Sequence, residues 1–142
     1  MSSKKYQDSE AHENIDRSLQ EIPTFIINLP QSTDRKVFMK DQCESIGVSP
    51  IFIEAVNGKN LSEVEISQFC NQAVAKKRLG RDLLLGEIGC ALSHKKIYQK
   101  IVDEHIAYAI IFEDDATLEK NFSIVVKSIM AAPLSWELVL LG

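Results

Sequence analysis

Three consecutive carboxylates, Glu113, Asp114 and Asp115, are the residues best suited to chemistry, and they close an apolar run over 109–112. Adjacent negative charges repel, so the triplet adds nothing to stability by itself. A divalent cation reverses that, because hard ions such as Mg²⁺ or Mn²⁺ take carboxylate oxygens. In open α/β sheets ligands bind just beyond the carboxyl ends of the strands, where this run would deliver its acids. A solvated acidic turn is the competing reading, and the triplet alone does not separate the two.

A second group lies upstream. Gly86, Gly89, Cys90 and Ser93 recur three and four apart, which puts small side chains on one face of a helix. Such a face lets another backbone or a ligand approach closely, and packing is the commoner use. His94 follows at the edge of the apolar face. A structural, hydrogen-bonded histidine and a functional one are both open there. Lys76, Lys77, Arg78 and Arg81 form a basic patch. Charge complementing a helix C-terminus is its plainer explanation, phosphate contact the alternative.

These groups need a scaffold. Residues 24–29 (Thr-Phe-Ile-Ile-Asn-Leu) read as a buried central strand, and so does the run into the acids. Between them, a helix to about Ile46 carries Met39, Cys43 and Ile46 as its stripe, with Gly47 as its stop. Residues 51–56 form a second strand closed by Asn57-Gly58, completing a βαβ unit. Ser62 and Glu65 make a capping box, and the helix behind it carries Ile66, Phe69, Cys70, Ala73 and Val74 on one face. A long helix runs from Gly86 to about His105. Phe122, Val125, Val126 and Ile129 stripe another, ended by Pro133. Residues 136–141 read as the start of a further strand.

The chain has 142 residues, 45% hydrophobic and 25% charged, which suits one globular domain. Residues 1–22 read as a polar arm and 23–142 as the domain, incomplete at its C-terminus because it ends on an apolar strand. A net charge of −4 argues against nucleic-acid binding through charge alone. No apolar run is long enough for a membrane span, and no secretory signal opens the chain. Cys43, Cys70 and Cys90 form no CxxC pair, which fits reduced thiols and neither a zinc site nor a disulfide frame.

Three segments together resemble glycosyltransferase family 25, the lipooligosaccharide and lipopolysaccharide galactosyltransferases. They are Ile26-Ile27-Asn28-Leu29 with Ser32, Asp34 and Arg35; the stretch 86–94, Gly-Glu-Ile-Gly-Cys-Ala-Leu-Ser-His; and residues 110–116, Ile-Ile-Phe-Glu-Asp-Asp-Ala. The resemblance implies an α/β, GT-A-like (Rossmann-like), mostly parallel sheet with flanking helices. It implies a UDP-sugar donor, Mn²⁺ or Mg²⁺, and a glycan or lipooligosaccharide acceptor. By the family pattern Asp115 is the direct metal ligand. Glu113 and Asp114 contact the ribose, or the metal through water, and Glu113 is grouped with Asp115 as a metal residue. Asn28 and Arg35 lie beside the nucleotide, Arg35 near phosphate, while Ser93 and His94 line the donor pocket. No catalytic base is assigned, His94 being the residue to examine. The family's habits imply a cytoplasmic location at the inner face of a bacterial inner membrane, with peripheral association. An apolar face left uncovered would predict a homodimer. Two rivals stand beside this reading: a truncated, non-catalytic binding module, and a Mg²⁺-dependent receiver-type phosphoryl-transfer domain.

Overall fold

The computed structural model describes residues 19–132 and 137–141. Among them, three parallel strands form one sheet in the order β2-β1-β3, with β1 at Thr24–Asn28, β2 at Pro50–Glu54 and β3 at Ile110–Glu113. Five α-helices accompany them: α1 Thr33–Ser45, α2 Glu63–Phe69, α3 Gln72–Leu79, α4 Leu85–Asp103 and α5 Phe122–Ala131. This is an α/β architecture of the Rossmann-like kind that the sequence predicts.

β1 is the centre of the molecule, and all five of its residues are buried. Its side chains alternate between two cores. Ile26 packs with Met39, Cys43, Phe122 and Val126, from α1 and α5. Phe25 and Ile27 pack with Ile97 of α4 on the other face. With both faces covered, a parallel strand must be apolar through its middle, as Phe25-Ile26-Ile27 is, while the buried polar residues Thr24 and Asn28 stand at its two ends.

α1 ends as Gly47 predicts. Gly47 sits at φ 75°, its N–H donates to Glu44, and the Val48 N–H donates to Cys43 at 2.9 Å. Those two bonds are a Schellman motif, and Val48 packs with Cys43 in the core beneath it.

Four expectations are corrected. The single helix behind Ser62 is two helices, because Cys70 is extended (φ −140°, ψ 145°) and Asn71 caps α3 by accepting the Val74 N–H at 3.2 Å. The capping box itself forms, with Glu65 Oε2 accepting the Ser62 N–H at 2.8 Å. The stripe is not core: neither helix buries a residue, and Phe69 is half-exposed with the Lys95 ammonium 5.1 Å from its ring centre. β3 is not central among the described residues, since it pairs with β1 alone. Finally, residues 137–141 form no strand, and Leu140 is 85% exposed. These residues share a cavity wall with β3 but form no ladder with its open edge among the described residues. Trp136 and Pro133 lie outside the described residues, as does most of the expected arm, though Leu19 is buried in the core with Met39.

The loop from β3 to α5 is held by one side chain. Gln42 of α1 donates to the Ala116 carbonyl at 3.0 Å and accepts the Leu118 N–H at 2.9 Å. It thereby satisfies backbone groups that no strand pairs, immediately after the acids.

Candidate functional site

The register of β1 and β3 sets the site. Ile27 pairs with Glu113, so Asn28 comes level with Asp114. Asp114 is buried, and both its oxygens are engaged. Asn28 Nδ2 donates to Oδ2 at 2.7 Å, and Arg35 Nη1, from the first turn of α1, donates to Oδ1 at 3.0 Å. The Asn28 amide also donates to the Ser32 carbonyl at 3.0 Å, fixing the β1–α1 turn. The hydrogen bond and the charge of Asp114 raise the Arg35 pKa above its ordinary value.

Asp115 is different. Its side chain is 65% exposed, and its contact is a long one, 3.8 Å from Arg35 Nη1. Glu113 turns toward α4. Its Oε1 accepts from the Cys90 thiol at 3.3 Å and lies 3.3 Å from His94 Nε2. Burial, and next the Glu113 hydrogen bond and charge, push the Cys90 thiol up to about 11, so it stays protonated at neutral pH. The three acids therefore point to three different surroundings. Cys90, His94 and Glu113 do converge, with donor atoms all within 4.8 Å of one another.

α4 is seated by contacts that its small residues permit. A Cβ on Gly89 would lie 2.5 Å from the Val56 carbonyl oxygen, and one on Gly58 would lie 1.7 Å from that of Leu85. The loop after β2 thus lies directly on the helix backbone. Ser93 is buried; its hydroxyl donates to Gly89 at 2.7 Å and accepts the Val56 N–H at 2.8 Å. Its polar capacity is used in this joint. Packing therefore explains Gly89 and Ser93. Gly86 is the exception, since a Cβ there would meet nothing within 4 Å.

Beside Gly86 a cavity of about 270 Å³ opens at the carboxyl ends of the strands, between Gly58, Lys59, Cys90, Glu113 and Asp114. Ser93 lines it as well. His94 does not; among the described residues its Nδ1 is buried with no hydrogen-bond partner, and its Nε2 faces Glu113. A larger groove of about 770 Å³ lies at the opposite end of the sheet, by Pro23 and Tyr108, and does not reach the acids.

The basic patch divides. Arg81 makes a two-pronged ion pair with Glu87, at 2.7 and 2.9 Å, and Glu87 also accepts the Leu84 N–H at 2.8 Å. Arg81 first, then the Leu84 N–H, draw the exposed Glu87 carboxyl down to about 2. Lys76, Lys77 and Arg78 occupy the last turn of α3, as the helix dipole favours. The lysine that lines the cavity is Lys59, which the sequence reading does not single out. Its signal was the Asn57-Gly58 turn, where Asn57 Oδ1 accepts the Lys59 N–H at 3.1 Å. For the Cys90–His94 pairing, the signal was their spacing of four on a helix.

Residues 21–142 match the family model described as Glycosyltransferase family 25 (LPS biosynthesis protein). The chain is 31% identical over 125 residues to procollagen galactosyltransferase 1-A of Xenopus laevis, covering 83% of this chain and 20% of that protein. It is 30% identical over 125 residues to procollagen galactosyltransferase 2 of Homo sapiens, covering 83% and 20%. It is equally similar, at 31% over 125 residues, to the inactive glycosyltransferase 25 family member 3 of Homo sapiens, covering 83% and 21%. The chain spans about a fifth of the length of these curated relatives.

Proposed function

The chain belongs to glycosyltransferase family 25, and on that premise we propose that it binds the nucleotide-sugar donor of a metal-dependent hexosyltransferase. The donor in this reading is a UDP-hexose, with galactose as the sugar, and the acceptor is a lipopolysaccharide or lipooligosaccharide glycan. The observation that carries it is the division of labour among the acids. Asp114 lines the cavity at the strand ends and is locked by Asn28 and Arg35, which leaves its neighbour Asp115, outside that lining, as the exposed carboxylate.

The donor set suits a hard cation. Mg²⁺ and Mn²⁺ sites on nucleotides commonly use one or two protein carboxylates, with substrate phosphates and water supplying the rest. Asp115 would hold the ion, and Glu113 could join it only by leaving Cys90 and His94. The ion would neutralise charge on the departing diphosphate. The chain's own residues do the rest. Arg35, half-exposed and anchored on Asp114, reaches toward phosphate without losing its position. The first turn of α4 offers backbone N–H groups where Gly86 leaves open space, and Lys59 adds a charge at the rim. Asn28 orients Asp114, and Ser93 shapes the wall. The cavity is smaller than the roughly 300–1,000 Å³ of a whole small-molecule pocket, so it takes part of a donor.

The test is calorimetric titration of UDP-galactose with and without Mn²⁺, on the wild type and Asp115→Ala. Metal-dependent binding that Asp115→Ala abolishes is expected; metal-independent binding, or none, would overturn the reading. A second reading, binding without turnover, is favoured by the inactive human relative. Transfer to a glycan acceptor by the purified chain would eliminate it. The receiver-type alternative has no support, since β1 ends at Asn28 and is followed by Leu29 and Pro30 rather than an acidic pair. A lipid-linked acceptor would go with peripheral attachment at the cytoplasmic face of the membrane. No helix among the described residues is long and apolar enough to cross one.

A further inference from the structure

Cys90 and His94 stand one turn apart on α4, and Glu113 meets them from the end of β3. Cys90 Sγ and His94 Nε2 each lie 3.3 Å from Glu113 Oε1, and all three donor atoms fall within 4.8 Å of one another. Donors around a tetrahedral Zn²⁺, with bonds of roughly 2.0–2.3 Å, sit about 3.3–3.8 Å apart. The set therefore lies within about 1 Å of that geometry, a distance side chains can cover without backbone movement.

Both supporting elements are rigid. α4 is pinned by the Gly58–Gly89 contact and by the two hydrogen bonds of Ser93. β3 is held by four register pairs with β1. Rigid elements make more dependable ligand frames than loops do.

We propose that Cys90, His94 and Glu113 form a three-ligand site for Zn²⁺, separate from the hard-cation position at Asp115. The ligand types decide the metal. Zn²⁺ would displace the Cys90 proton to solvent on binding, and the resulting thiolate with imidazole selects zinc over Mg²⁺ or Mn²⁺, which take carboxylate, phosphate and water. Three protein ligands leave a fourth position, the arrangement of zinc sites that accept an exogenous ligand. Cys90 and Glu113 also line the cavity, so that position opens toward it. An ion there would tie α4 to β3 across the cavity wall and accept water or an oxygen of a bound molecule. The inference rests on the three donors and holds whether or not a nucleotide sugar binds.

Co²⁺ is the probe, because its thiolate bond gives a charge-transfer absorption that carboxylate sites lack. The wild-type chain should show this band, saturating at one ion per chain and displaced by Zn²⁺. Cys90→Ser should abolish it. His94→Ala and Glu113→Gln should each lower Zn²⁺ affinity about tenfold or more, the least that losing even an outer hydrogen-bonding partner costs a metal site. Cys70→Ser and Asp115→Ala should leave the band intact. No band in the wild type, or one that survives Cys90→Ser or is lost with Cys70→Ser, would overturn the proposal. If Cys90→Ser does not fold, the wild type still decides. One equivalent of Zn²⁺ should protect Cys90, and not the half-buried Cys70, from alkylation mapped by mass, and equal labelling would sink the idea. Nucleotide binding lost in Asp115→Ala alongside an intact cobalt band would separate this site from the donor site.

Discussion

Asp114 and Asp115 are neighbours with the same side chain and opposite roles, and substitution should expose the difference. Asp114 accepts two hydrogen bonds in a buried place, one of them from a guanidinium. Hydrogen bonds to charged groups contribute roughly 1.5–3 kcal/mol each. Asn28→Ala removes one and leaves a buried carboxylate oxygen bare, so denaturant unfolding should show a loss of about 1.5–3 kcal/mol. Asp115→Asn touches an exposed side chain, and its stability should change by no more than about 0.5 kcal/mol while Mn²⁺-dependent nucleotide binding fails. If instead Asp115→Asn unfolds the chain, its carboxylate is structural and the donor reading loses its ligand. The family pattern in the sequence already marks Asp115 as the ligand to test. That Asp114 is locked was not legible, because it depends on Asn28 and Arg35, which come from 86 and 79 residues away.

At the scale of elements, α4 is seated by Gly89 and held at its start by Glu87. Gly89→Ala drives a methyl group to 2.5 Å from a backbone carbonyl that cannot swing aside. Overpacking of this kind costs about 1–3 kcal/mol. Gly86→Ala meets open space and should be neutral or stabilising by up to about 1 kcal/mol. Chemical denaturation of the pair distinguishes a packing glycine from one that leaves room for a ligand. The Glu87 cap predicts a pH dependence. Its carboxyl has a lower pKa folded than unfolded, so its contribution is present above the ordinary value of 4.5 and is lost as pH falls toward 2. Protection of the amides at residues 84–88, measured against their intrinsic exchange rates, should therefore fall through that window, and Glu87→Gln should remove the dependence. The βαβ unit, the Schellman stop at Gly47 and the capping box at Ser62 were all readable, because each is written in residues close in sequence. The break at Cys70 and Asn71 was not. There the Asn71 side chain, by capping α3, outcompetes a helical apolar spacing that has no core to face. Residues 137–141 mislead for a different reason: an apolar run does not specify backbone pairing, and this one makes no ladder with the open edge of β3 among the described residues.

For the whole molecule, the strand order β2-β1-β3 brings every candidate ligand to one end of a sheet whose core is buried on both faces. Binding there draws on β1, β3, α1 and α4 together, so occupancy should be felt as global stability. A ligand that binds only the folded state adds about 2.7 kcal/mol at a hundred times its Kd. For a domain of this size that corresponds to roughly 5–10 °C in Tm. UDP with Mn²⁺ should raise Tm by that amount, UDP alone by much less, and Asp115→Ala should erase the difference. Zn²⁺ without nucleotide should raise Tm in Asp115→Ala as it does in the wild type, and should fail in Cys90→Ser. A shift with Mn²⁺ and UDP that persists in Asp115→Ala would mean that the cation is held elsewhere at the strand ends, and Glu113, freed from Cys90 and His94, would be the carboxylate to substitute next.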